Sequence, residues 1–221
     1  MSSRESLLSS PKPLLRGWSH AAGAVAALIA TVILLIQTFG DYPRFFALLV
    51  FGLSMILLYA VSAIYHIGNW PERQRIFWRT FDHANIFIFI AGAYTPIAVI
   101  VLDGTMRIAM LVLIWTLALV GAAASFFTLR MPRWGLILLY IGMGWISLIL
   151  LPQIVQAISF QPVLLLIAGG LSYTIGALIY AFRWPNPLPT IFGFHEIFHL
   201  LVIAGTVAIA TTIWIWVLPL A

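Results

Sequence analysis

Seven long apolar runs decide what this chain can fold into. They lie at roughly 18–39, 45–67, 81–102, 108–129, 134–158, 163–182 and 194–218, each near the about 20 residues that a helix needs to cross a hydrocarbon core of about 30 Å. Inside a bilayer every backbone N–H and C=O must be satisfied within the protein, which leaves helices or a closed barrel. Unbroken apolar runs do not alternate as barrel strands do. The predicted fold is therefore all-α, a polytopic membrane protein built as a bundle of seven transmembrane helices. Composition agrees: 63% of the 221 residues are hydrophobic and 8% charged, with a mean hydropathy of +1.09, far from soluble domains. The linkers are short, so residues 1–17 read as a short cytoplasmic segment and 18–221 as one helical domain. The run from Trp18 to Phe39 is too long for the apolar region of a cleaved leader and has no small-residue cleavage site after it. It reads as a retained first span.

Charge sets the orientation. Seven spans put the amino terminus and the loops after spans two, four and six on one side, with Arg4, Lys12, Arg16, Arg73, Arg75, Arg79, Arg130, Arg133 and Arg183. The other side holds Arg44 and Arg107. Positive residues stay inside, so the amino terminus is expected in the cytoplasm and the carboxyl terminus outside, in a multi-pass protein of the cell (inner/cytoplasmic) membrane. The basic residues are scattered between apolar runs rather than gathered in one patch, which argues against nucleic-acid binding. Membrane lipids are the expected partners. The chain has no cysteine, so a metal site here must use histidine, carboxylate and water.

The polar residues inside the spans converge on one depth. His195 and His199 stand four apart in His195-Glu196-Ile197-Phe198-His199, on one helical face, at the spacing that lets two imidazoles reach one ion. They fall at the inner start of span seven. His66 falls at the inner end of span two, and Asp82 at the inner start of span three. Ionisable residues at such depth mark functional sites by default. Three neutral imidazoles with one open position make a catalytic zinc site, where the metal lowers the pKa of bound water toward 7. Asp82 is placed to orient or deprotonate that water. Ser62, one turn from His66 and about 6 Å deeper, is placed to hold the site or a substrate carbonyl. Iron, copper and nickel also suit imidazole, so zinc rests on three nitrogens plus water.

Ser62-x3-His66, Asp82 within Phe81-Asp82-His83-Ala84-Asn85, the run Ala91-Gly92-Ala93-Tyr94-Thr95-Pro96 and His195-x3-His199 together resemble the hemolysin III family, within the wider superfamily of progestin and adiponectin receptors. The resemblance covers nearly the whole chain. It implies a seven-helix fold with a cytoplasmic amino terminus and a zinc ion held near that side by His66, His195 and His199, with Asp82 contacting the metal through water and Ser62 supporting the site. It also implies hydrolysis of lipid amides such as ceramide, or, as for bacterial members, a role in membrane homeostasis or haemolysis. The long soluble amino-terminal region of the animal receptors has no counterpart here, so a hormone-receptor role is not expected.

Other readings remain beside this one. The histidines can instead hydrogen-bond between helices without metal, and Asp82 can pair with Arg73, Arg75 or Arg79. His-Glu-x-x-His is also a zinc-protease signature with the glutamate as base. The aspartate of Leu102-Asp103-Gly104, however, is expected about 30 Å away, across the bilayer core. Glu196 is expected at the interface or against the basic loops. His83, about 100° round the helix from Asp82, is expected to face elsewhere, and His20 to sit at the interface as a minor candidate for a fourth ligand. Pro96 and Pro152 are expected to kink spans three and five. The expected function is a zinc-dependent membrane hydrolase acting on a lipid substrate. A non-enzymatic sensor or regulator of membrane state with structural zinc is the first alternative, and a pore-forming or transport protein the second.

Overall fold

A computed structural model describes residues 13–127 and 133–220. Arg4, Lys12, Arg130 and the last two residues of the fourth apolar run lie outside the described residues. The helices are α1 (Trp18–Gln37), α2 (Tyr42–Ile67), α3 (Glu72–Val101), α4 (Gly104–Phe127), α5 (Arg133–Trp145), α6 (Leu151–Ile158), α7 (Phe160–Phe182) and α8 (Phe194–Thr212). A 3-10 stretch, Ile146–Leu150, joins α5 to α6, so these three pieces form one span, and α8 runs on into a π turn at Ile213–Val217. Seven helical segments are thus long and apolar enough to cross a membrane. Among the described residues the only β pairing is an isolated bridge between Leu188 and Phe192, in the loop before α8.

The expected spans and the helices differ most at α3. The helix begins at Glu72 rather than near residue 81. Hydropathy marks where a helix leaves an apolar layer, not where its hydrogen bonds end, and here Arg73, Arg75 and Arg79 ride on two extra turns. Pro71 sets the start, since it has no N–H to give to an earlier turn, and Glu72 in the first turn complements the helix dipole. The fifth span breaks where Pro152 cannot donate to Leu148 and its ring crowds that carbonyl. The Leu148 carbonyl accepts from the Leu151 N–H instead, and just before it Tyr94 of α3 bonds the backbone where the α-helix gives way to the 3-10 stretch. The Tyr94 hydroxyl donates toward the Met143 and Gly144 carbonyls at 2.9 and 2.7 Å and accepts from the Ser147 N–H at 2.6 Å. Pro96 lies inside α3 without ending it.

The two central helices are α2 and α3. In their most apolar windows 61% of residues are buried, against 28% or less in the other spans. Around them pack α1 and α4, and α7 pairs with α8, which also touches α1. With lipid as apolar as the side chains, close backbone approach holds such helices together. A Cβ at Gly52 would collide with the Thr31 side chain, and one at Gly92 with Ser54. Leu48, Phe51, Met55 and Phe89 fill the resulting core beside Val202 and Ile213 of the last span. The exposed apolar side chains of α1 and α4, such as Leu28, Ile36, Ile108 and Val120, are those that a lipid-facing helix requires.

Candidate metal centre

The bundle brings three histidines to one point near its arginine-bearing end. His66 stands in the last turn of α2, His195 and His199 in the first two turns of α8. One ring nitrogen of each lies within 4.8 Å of the other two. The closest approach is between the Nε2 atoms of His66 and His195, 3.1 Å. Two nitrogens bound to one tetrahedral zinc at 2.0–2.1 Å are about 3.3 Å apart. His66 and His199 are 7% and 1% exposed.

The donor set fits a metal ion on a second, independent observation. Nδ1 of His199 is buried and has no hydrogen-bond partner in the protein. A buried polar atom left so costs about 1–3 kcal/mol, a cost that a bound cation and its ordered ligands remove. The chain's lack of cysteine leaves a nitrogen site, which suits zinc and several other divalent metals.

Asp82 comes to the cluster from the third turn of α3, its Oδ2 3.8 Å from Nε2 of His66. That distance exceeds a hydrogen bond and leaves the carboxylate beside the histidines. Ser62, one turn before His66 on α2 and 2% exposed, lines the same cavity as Asp82. Among the described residues Asp82 forms no ion pair with Arg73, Arg75 or Arg79; the titratable group beside it is the His66 imidazole.

Two residues occupy positions other than those expected. His20 does not sit at an interface: it is 3% exposed and stacks on His199, with 3.8 Å between ring centroids and 11° between planes. It is not among the three clustered ligands. Both its nitrogens are buried without a hydrogen-bond partner, and its ring edge meets Tyr59. His83 also faces inward, lining the cavity described below, although its Nδ1 donates to the Arg79 carbonyl of its own helix at 2.6 Å. For His20 the available signal was its depth at the start of the first span. A lone histidine in an apolar run carries no spacing partner, so its neighbour in space was illegible.

Glu196, as expected, meets a basic residue. It is 3% exposed. Its Oε1 accepts from Nε of Arg16 at 2.8 Å, and its Oε2 accepts from the Gly193 N–H at 2.7 Å, capping α8. The segment before α1 is stitched to the loop before α8 by two more bonds, from Leu14 N–H to Thr190 O and from Leu15 N–H to Ile191 O. Gly17 ends this strap with φ 86, and a Cβ there would stand 2.9 Å from Cβ of His66. Only glycine combines that backbone with that approach. Asp103 is at the far end of α3 from Asp82, paired with Arg107 at 2.9 Å. The protease reading therefore lacks its second carboxylate.

The cluster opens into a cavity of about 930 Å³. Its wall near the histidines is polar, with Ser62, Asp82 and Tyr180; its deep part is apolar, with Phe89, Ala93, Ile97, Leu150, Ile154 and Ile209.

Residues 8–210 match the family described as Haemolysin-III related. The chain is similar to the Hemolysin-3 of Bacillus cereus, 34% identical over 205 residues that cover 92% of this chain and 90% of the relative. It is also similar to the Hemolysin-3 homolog of Bacillus subtilis (strain 168), 30% identical over 192 residues, covering 86% and 87% of the two chains.

Proposed function

Because the chain belongs to the Haemolysin-III related family, and with it to the progestin and adiponectin receptor superfamily, we propose that it is a zinc-dependent hydrolase of lipid amides or related lipids. In this reading it works in the cell membrane with its amino terminus in the cytoplasm, and serves membrane homeostasis or haemolysis. One observation carries it: three clustered histidines with a carboxylate beside them, at the polar end of a cavity that is otherwise apolar. Its volume falls in the range of small-ligand sites, about 300–1,000 Å³.

His66, His195 and His199 would hold the ion. A divalent metal on three imidazoles with an open position supplies Lewis acidity and brings the pKa of water near 7. The chain's own groups do the rest. The deep apolar wall takes the acyl chain and excludes water around it. Asp82, which the Ser62 hydroxyl in the same lining would orient, takes the proton of the attacking water and returns it to the leaving nitrogen. A C–O bond forms at the acyl carbon, the C–N bond breaks, and the products are a fatty acid and an amine.

Purified protein carrying one zinc per chain is expected to release fatty acid from a lipid amide such as ceramide. Asp82→Asn should keep the zinc and lose most of the release, by about 10²–10⁴-fold. Full activity in that variant would remove Asp82 from the chemistry. A second reading, a regulator of membrane state with structural metal, is favoured by the His20 ring, which closes one side of His199. A fourth protein ligand on the ion would decide for it, because catalytic sites keep a position open.

A further inference from the structure

Three arginines line the mouth of the same cavity. Arg16 comes from the strap before α1, Arg75 and Arg79 from the extra turns of α3. Against them the described lining holds one carboxylate, Asp82, deeper at the metal cluster. Glu196 is spent on Arg16 through Nε and is outside the lining. Arg75 and Arg79 form no ion pair among the described residues, although they stand four apart on one helix. Like charges at that spacing repel. A positive-inside bias explains arginines anywhere on this side, and Arg73, which is outside the cavity lining, needs no other explanation. It does not explain why Arg75 and Arg79 face a cavity together with an Arg16 whose orientation a buried carboxylate fixes.

The axial positions say what these charges meet. Along α3, Arg79 and Arg75 precede Asp82 by about 4.5 and 10 Å, while Ile97 lies about 22 Å beyond it, at 1.5 Å per residue. An amphiphile with its acyl chain along the deep apolar wall and its amide at the histidines would carry its headgroup up to the arginines. A carboxylate freed by hydrolysis would remain at the histidines, so it is not what the arginines read.

Resting on the hydrolase reading for the position of the amide, we propose that Arg16, Arg75 and Arg79 bind the anionic headgroup of an N-acylated amphiphile, a carboxylate or phosphate carried on the amine side. The preferred substrates are then acidic lipid amides rather than neutral ones. Guanidinium groups match both oxyanions with paired N–H donors.

The test uses the full chain, zinc-loaded, in a neutral detergent, with three probes of one chain length: N-palmitoylglycine, N-palmitoyl-O-phosphoethanolamine and the neutral N-palmitoylethanolamine. Binding is read by displacement of a fluorescent fatty amide. The acidic probes are expected to bind about tenfold more tightly than the neutral one, the scale of a charge-assisted contact, and their relative order tells carboxylate from phosphate. Arg75→Gln with Arg79→Gln should bring that preference to about twofold, and Arg79→Gln alone to an intermediate value, with zinc content unchanged as the check on folding. Equal affinity of all three probes for the wild type, or a preference that survives in the double variant, would overturn the proposal. So would displacement of N-palmitoylglycine by inorganic phosphate alone, which would mark a free-anion site. If the preference holds and its loss follows the arginines, yet no amide is cleaved, the headgroup site stands and the hydrolase reading falls.

Discussion

His20 lies flat on His199, ring against ring at 3.8 Å, although they stand 179 positions apart in the chain. The first and seventh spans therefore meet at a side chain of the histidine cluster. Stacking fixes the plane of the His199 ring and so the direction of its nitrogens. Partners that orient a ligand through hydrogen bonds are worth about 10–100-fold in metal affinity, an upper bound for a ring that only stacks. His20→Ala is expected to weaken zinc binding by up to about that factor, measured by competition with a chromogenic chelator. His20→Phe, which keeps a flat ring but offers no nitrogen, should lie near the wild type. If Phe behaves like Ala, the nitrogens and not the stack matter.

Glu196 joins a helix cap to a buried ion pair. Glu196→Ala removes both and leaves the Arg16 guanidinium, with a side chain 23% exposed, without its anchor. A loss of about 2–4 kcal/mol of stability is expected, combining a cap and a largely buried charge partner. Glu196→Gln retains an acceptor and should lose about half as much. Thermal unfolding in detergent separates the two, and equal losses would mean that the charge carries the effect and the neutral acceptor contributes nothing.

Gly17 should not tolerate a side chain. Its positive φ and its contact with His66 act together. Gly17→Ala is expected to cost about 1–3 kcal/mol of stability through strain and to shift His66. Zinc content per folded chain should then fall, which a strain remote from the cluster would leave unchanged.

Tyr94 bridges the broken fifth span. Tyr94→Phe leaves the Ser147 N–H and the Met143 and Gly144 carbonyls without that hydroxyl, at about 1–3 kcal/mol for the groups left unpaired. Faster amide exchange across 143–150 is expected, with the histidine cluster still occupied. Unchanged exchange there would show that other groups hold the break.

Removing the metal should loosen α2 from α8. A chelator is expected to lower the melting temperature, and added zinc to restore it, because binding to the folded state alone stabilises it by mass action. Zinc should also be lost progressively as the pH falls, since protons compete for the imidazole nitrogens that the ion needs. A melting temperature indifferent to chelator and zinc would leave the three histidines as a hydrogen-bonded cluster.

Much of this was legible in the sequence, and the rest was hidden for physical reasons. Span number followed from hydropathy because a bilayer imposes one length on every crossing. The meeting of His66, Asp82, His195 and His199 followed from topology, since each falls at the same end of its span. Hydropathy could not see the helical extension from Glu72, because the charged turns of α3 are no longer in an apolar layer. Pro152 signalled a break, but only the fold shows that Tyr94 bonds the backbone at 143, 144 and 147, just before it. The approach of His20 to His199 depends on how the first and last spans lean together, which no periodicity encodes. Arg16 counted as one positive charge among nine, and its pairing with Glu196 arises from the strap that the sequence leaves unpatterned.

That strap has a consequence for the order in which the molecule is made. A chain inserts from its amino end, so His66 and Asp82 enter the membrane well before His195 and His199, and Arg16 waits longest for its partner, Glu196. Until the seventh span arrives, the first has no ring to lie against and the site has one imidazole of three. The histidine cluster is thus completed late in biogenesis, and a chain that stalls before its last crossing lacks two of its three imidazoles.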